Sequence, residues 1–460
     1  MRIDLLLLAS IAAASAAAGA DEGRPAAAPT DPDLFQIVSE VSPERIQRSI
    51  FVLASFKTRH TLSDPAPSGD GIGGAASWIR AEFNRAADES GGRLKVEMDT
   101  FLQQPQPPRI LRPVQITNVV ATLPGSRAGS AGRIYVVSGH YDSRVKNPLD
   151  ATSPAPGAND DASGVAAVLE LAHVLCHRTF PSTLVFMAVA GEEEGLNGST
   201  HWARQARAQG LDIEGMLDND IIGSSRADDG SIDRHTVRLF AQGVPPVEHP
   251  GDQLLTLLRD GGENDTPPRE LARAIRDLAG RYVPSMNIRL IYRTDRYLRG
   301  GDHLPFLQQG YPAVRFTEPA EDFRHQHEDV RVENGVKYGD IPEFVDFAYV
   351  ADVARVNAVA LAGLARAPAA PREVQIETAR LENDTTLRWA ANTEPDLAGY
   401  RIVWRETTSP FWEHALDVGR DVTRRQVRGV SKDNVVFGVE AFDTAGRASP
   451  AVFPVPRQTL

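Results

Sequence analysis

Between about Asp31 and Ala367, short β-branched runs alternate with longer stretches of helical periodicity, and this alternation restricts the fold more than any single residue does. Strands are predicted at 133–138, 183–189, 216–222, 236–241, 288–292 and 313–317, with a helix at 163–176. A closing helix at 343–365 carries Phe344, Phe347, Val350, Ala354 and Leu361 at helical spacing, so it has an apolar face to lay on the sheet. Strands separated by helices imply βαβ units. The predicted fold is therefore α/β, with a mixed, mostly parallel sheet flanked by helices.

Beyond that region the grammar changes. Residues 367–371 read as a Pro and Ala linker, and after it the helical signal gives way to short alternating strands at 385–389, 399–405 and 435–442. A C-terminal β-sandwich over 372–460 is expected, with Trp389 and Tyr400 as core aromatics.

The predicted strands of the first region end in residues of one chemical kind. In open α/β sheets, ligands bind at the carboxyl edge of the strands, so these are the positions where a site is built. His140 closes the first run, and Asp142, two residues on and therefore on the same face, is placed to fix its tautomer. The run "GANDDASG" holds Asp160 and Asp161 before a helix, where capping and metal bridging are both open. Glu192, Glu193 and Glu194 follow the strand 183–189, and three adjacent carboxylates repel one another unless a cation is present. Asp218 and Asp220 end another strand, and "FRHQHEDV" supplies His325, His327 and Asp329 beyond the last. Five separated segments thus each offer a zinc-type ligand at a strand end.

These motifs, "GHYDS", "GANDDASGV", "GEEEGLNGS", "NDIIGS" and "DHLPFLQQGYPAV", occur in order over about 34–365, and the region resembles the co-catalytic zinc exopeptidases. That family includes secreted bacterial leucine aminopeptidases and glutamate carboxypeptidase. The resemblance implies two zinc ions per chain: Asp160 bridges them, His140 and Asp220 complete one site, and Glu193 with His325 completes the other. Glu192 is then the catalytic carboxylate and Asp142 supports His140. The family spacing of a His four residues before an acid selects His325 with Asp329, while "HQH" leaves His327 as the alternative. Glu194 falls at a variable position, and Asp302 with His303 matches a supporting Asp-His pair.

Charge arithmetic agrees with this set. Two divalent ions against Asp160, Glu193 and Asp220 leave one positive charge, which a bridging hydroxide neutralises; Glu192, outside the ligand set, is free to move its proton. The expected activity is hydrolysis of the N-terminal bond of peptides. Alternatives on the same fold are a carboxypeptidase, for which Arg296 and Arg299 are candidate carboxylate donors, a glutaminyl cyclase, or a binding protein that has lost its metals.

Compartment and partners follow from simpler features. Arg2, the apolar run 5–18 and the small residues Ala18, Gly19 and Ala20 have the form of a cleaved leader, 1–20, so export to the periplasm or beyond is expected. No later run is expected to span a membrane. The single cysteine, Cys176, rules out an intrachain disulfide and reads as a buried inert thiol. With 61 acidic and 49 basic side chains, a nucleic-acid partner is not expected. The exopeptidase region spans 31–366, and 372–460 resembles a fibronectin type III module.

Overall fold

The computed structural model describes residues 30–245 and 251–457; the predicted leader lies outside the described residues. The central element is an eight-stranded sheet: β1 (Lys95–Gln103), β2 (Val114–Leu123), β3 (Arg133–His140), β4 (Thr183–Val189), β5 (Asp212–Asn219), β6 (Thr236–Ala241), β7 (Asn287–Ile291) and β8 (Ala313–Thr317). Their order is β1-β2-β4-β3-β5-β8-β6-β7. The inner four, β4-β3-β5-β8, run parallel, whereas β1, β2 and β6 join their inner neighbours antiparallel. Because β4 and β5 lie on opposite sides of β3, the loops after these strands part from one another at a single edge and leave a crevice there.

The inner strands are apolar throughout because both sheet faces are covered. Along β3, Tyr135 and Val137 enter one core and Val136 the other. The first layer contains α1 (Pro32–Glu40), α2 (Pro43–Ser55), α3 (Ile72–Glu89) and α4 (Ala162–Leu175). On the opposite face lies α5 (Asn197–Ala208). After α6 (Asp252–Arg259), α7 (Pro267–Tyr282) rejoins the first layer, α8 (His303–Gln308) packs beside α5, and α9 (Phe347–Arg366) closes the first layer. α9 amends one expectation. It is long and apolar enough to cross a membrane, but 78% of it is buried, its apolar surface being taken up by α4 and α7.

A short hairpin, β9 (Arg331–Glu333) with β10 (Val336–Tyr338), follows the loop that carries "HQH". The C-terminal residues form two small sheets. One, of order β15-β12-β11-β17, holds β11 (Gln375–Glu377), β12 (Thr385–Arg388), β15 (Arg424–Val427) and β17 (Val455–Arg457). The other, β14-β13-β16, holds β13 (Leu397–Glu406), β14 (His414–Gly419) and β16 (Val435–Asp443). Leu387 and Trp389 from one side meet Tyr400, Ile402 and Phe437 from the other in one core.

A buried ionic knot joins these sheets to the α/β region. Asp265, just before α7, accepts from Arg273 at 2.9 Å and from both Arg405 Nη2 contacts at 2.7 and 2.8 Å, with all three side chains almost fully enclosed. Removing the shared anion leaves Arg405 without a carboxylate partner in a low-dielectric interior and Arg273 with Glu270 alone, which costs about 3–5 kcal/mol. Asp265→Ala is therefore expected to lower the urea-unfolding free energy by about that amount, and a loss under about 1 kcal/mol would show that water reaches the knot.

Candidate metal centre

The four parallel strands deliver their ends to one place. β3 ends in His140, β4 leads through Gly191 to Glu192 and Glu193, β5 leads to Asp220, and the turn before α4 contributes Asp160. His140 Nε2 lies 3.0 Å from Asp160 Oδ1 and 3.8 Å from Asp220 Oδ1. The other oxygen of Asp160, Oδ2, lies 2.8 Å from His327 Nε2, which is also 2.9 Å from Glu193 Oε1. Two groups of ligand-type atoms result, His140–Asp160–Asp220 and Asp160–Glu193–His327, and they share Asp160.

Of the two histidines of "HQH", the structure brings His327 rather than the expected His325 to Asp160 and Glu193. His325 stacks on Phe344, with ring centroids 3.6 Å apart and planes at 9°, and its Nε2 lies 3.8 Å from Asp322. Two residues further on, the backbone at His327 enters the left-handed region at φ 55°. This turn in the loop directs His327 toward the sheet edge.

The surrounding groups orient the cluster. His140 Nδ1 faces the backbone oxygen of Asp142 at 3.2 Å and Asp142 Oδ1 at 3.6 Å. The Asp142 carboxylate also accepts from the backbone N–H of Glu193 at 3.1 Å, that of Glu192 at 3.3 Å and Thr61 Oγ1 at 3.2 Å. Asp142 therefore ties the His140 segment to the glutamate segment. Asp161 turns away from the cluster and caps α4: it accepts from Gly164 N at 2.9 Å and from His140 N at 3.0 Å. Of the acidic pair, Asp161 caps the helix while Asp160 faces the cluster. Asp340 accepts from the backbone N–H of Asn159 and Asp160, at 2.8 and 2.7 Å, and burial pushes its carboxyl up to about 7.

Two arginines were not singled out from sequence. Arg144 Nε donates to Glu193 Oε2 at 2.7 Å, and its Nη2 donates to His327 Nδ1. Arg315 Nη2 pairs with Asp220 Oδ2 at 2.8 Å from within β8, where it is 1% exposed. A charged residue inside the apolar run "AVRFT" was the signal available for Arg315, since such a residue is almost never fully buried without a partner. Glu194, read as peripheral, is instead buried, with Oε1 3.2 Å from His60 Nε2. His303 lies 3.4 Å from Asp218, and Asp302 accepts from Ser199. Both are back-up contacts to β5 and α5 rather than members of the two groups.

The electrostatics ask for a cation. Burial lowers the pKa of His140, but the carboxylates of Asp142, Asp160 and Asp220 outweigh it and hold the ring protonated well above its ordinary value of 6.5. Glu193 Oε1 is buried and faces His327 Nε2 at 2.9 Å. Imidazole nitrogens from two segments, a carboxylate with its two oxygens turned to different groups, and further buried carboxylates together fit a pair of zinc-type ions.

A pH test follows for metal-free protein. The raised pKa of His140 means its stabilising contribution is complete below 6.5 and is lost as pH rises through the higher folded value. Burial raises Glu192, Asp161 and Asp302 as well, which adds the same sign; Asp160 and Asp220 are lowered and act only below 3.8. The thermal midpoint of chelator-treated protein is expected to fall as pH rises above 6.5. A midpoint that rises over that range would contradict the protonated cluster. Metal uptake from that state is expected to release protons, measurable by calorimetry in buffers of different ionisation enthalpy.

The mixed sheet thus carries two groups of acidic and imidazole side chains, sharing Asp160, at its carboxyl edge. Residues 118–336 match the model of peptidase family M28. The chain is 49% identical over 426 residues to a probable zinc metalloprotease of Leptosphaeria maculans, covering 92% of this chain and 97% of that one. It is 48% identical over 429 residues to another from Pyrenophora teres f. teres, covering 93% and 88%. The chain belongs to peptidase family M28. LapB from Legionella pneumophila shares the fold, with a TM-score of 0.51 and 18% identity over 73% of this chain and 76% of LapB.

Proposed function

We propose that the chain is an exported zinc-dependent aminopeptidase that binds two zinc ions, one at His140, Asp160 and Asp220 and the other at Asp160, Glu193 and His327. The observation that carries this reading is Asp160, which presents Oδ1 to one histidine and Oδ2 to another from a distant segment. Zinc relatives of nearly full length support the choice of metal. When bound, the two ions would polarise the scissile carbonyl and acidify a water molecule between them.

The protein's own groups do the rest. Asp160, Glu193, His140, Asp220 and His327 would hold the cations, while Asp142 and Arg315 keep His140 and Asp220 in place. Glu192 follows β4 at the crevice, within electrostatic reach of His140, Asp220, Glu193 and Asp302, and belongs to neither ligand group. It accepts a proton at its carboxylate and passes it to the leaving amine.

Aminopeptidase rather than carboxypeptidase specificity is supported by how the arginines are used. Arg296 and Arg299 pair with Glu321 Oε2 at 2.9 and 3.3 Å, and Arg144 pairs with Glu193. Each of the three already faces a carboxylate, Arg296 and Arg299 sharing that of Glu321, and the remaining carboxylates of the cluster suit a substrate ammonium. Export rests on the leader-like residues 1–20, and a fibronectin type III module at 372–460 on its two sheets packed around Trp389 and Tyr400.

The test is zinc content together with hydrolysis of leucine p-nitroanilide before and after chelation and zinc restoration. About two zinc ions per chain with chelator-reversible release is the expected result. Zinc without release would redirect the reading to carboxypeptidase or cyclase substrates, and no zinc would end it.

A further inference from the structure

A third cluster of metal-type side chains sits at the opposite end of α4. The helix starts beside Asp160 and runs 14 residues, so its far end is about 20 Å away at roughly 1.5 Å per residue. There His173 lies in the last turn of α4, Cys176 caps the helix and His177 follows it directly. Glu89, the last residue of α3, reaches across: its Oε2 lies 2.7 Å from His173 Nδ1 and 3.6 Å from His177 Nε2. The ligand atoms of Glu89, Cys176 and His177 all lie within 4.8 Å of one another.

We propose that Glu89, Cys176 and His177 form a second kind of metal site, a three-donor site for one zinc-class divalent cation that clamps the end of α3 to the end of α4, with His173 Nδ1 positioning the Glu89 carboxylate. The donor chemistry suits that ion: an imidazole, a thiolate and a carboxylate, for which bond lengths of about 2.0–2.3 Å set tetrahedral donors about 3.3–3.8 Å apart. The charges also close, since one carboxylate and one thiolate neutralise a divalent cation while the imidazole stays neutral. On binding, the thiol proton leaves to solvent and the metal–sulfur bond replaces the contact that Cys176 Sγ makes to the oxygen of His173 at 3.1 Å. The Glu89 and His177 side chains are 40% and 46% exposed, while Cys176 is buried behind them.

This site can be read without any peptidase assay, because Cys176 is the one cysteine in the chain and the centre at the sheet edge holds only nitrogen and oxygen donors. Cobalt(II) titrated into chelator-treated full-length protein is expected to raise a thiolate-to-cobalt charge-transfer band in the near ultraviolet. That band should disappear in Cys176→Ser, and His177→Ala and Glu89→Gln should each weaken the cobalt affinity that it reports by about tenfold or more. No band from the wild-type protein at saturating cobalt would overturn the proposal, as would a band that neither His177→Ala nor Glu89→Gln weakens.

Discussion

Glu192→Gln is expected to keep the zinc content of the parent protein and to lose about 10²–10⁴-fold in kcat. The substitution preserves shape and hydrogen-bonding reach but removes the one site able to take up and return a proton. Glu192 lies outside both ligand groups, so the metals have no direct reason to leave. Its neighbours make the position sensitive. Burial, with Asp220, Glu193 and Asp302 close by, raises the Glu192 carboxyl well above its ordinary value, while His140 opposes the rise. Bound cations would pull it back toward the range in which it can exchange a proton. Metal content by plasma emission and steady-state kinetics on the same sample separate the outcomes. Retained turnover would remove Glu192 from the proton path, and a parallel loss of zinc would make it a ligand.

The second large effect separates two histidines that are two residues apart. His327→Ala deletes the nitrogen that faces Asp160 Oδ2 and Glu193 Oε1, and it should weaken metal binding at that group by at least about 10–100-fold. His325→Ala deletes a ring stacked on Phe344, so it is expected to leave metal content unchanged and to cost only about 0.5–1.5 kcal/mol of stability. Competition with a chromophoric chelator measures the first effect and urea unfolding the second. Zinc lost from His325→Ala but kept in His327→Ala would return the role to His325.

The contrast between these two residues shows where sequence reasoning stops. The inner strands were legible because a parallel strand buried on both faces must be a continuous apolar run; β4 and β8 fall where those runs lie. Most of the candidate centre was legible for a related reason. His140, Asp160, Glu193 and Asp220 stand directly at strand or helix ends, where chain geometry leaves little freedom to place them elsewhere. "HQH" lies in a loop with no period to read, eight residues past β8, where a spacing rule has no backbone regularity behind it.

What the sequence alone determined is the alternation of elements and the kind of chemistry waiting at their ends, since both depend on local period and on residue type. Tertiary structure decided which histidine turns inward, because a left-handed residue at 327 and a ring stack at Phe344 are settled by packing. It also decided that Arg315 and Arg144 become partners of Asp220 and Glu193, and that Glu89 meets the end of α4. Those pairs join residues far apart in the chain, and a contact that depends on how separate layers dock leaves no periodic trace in either segment.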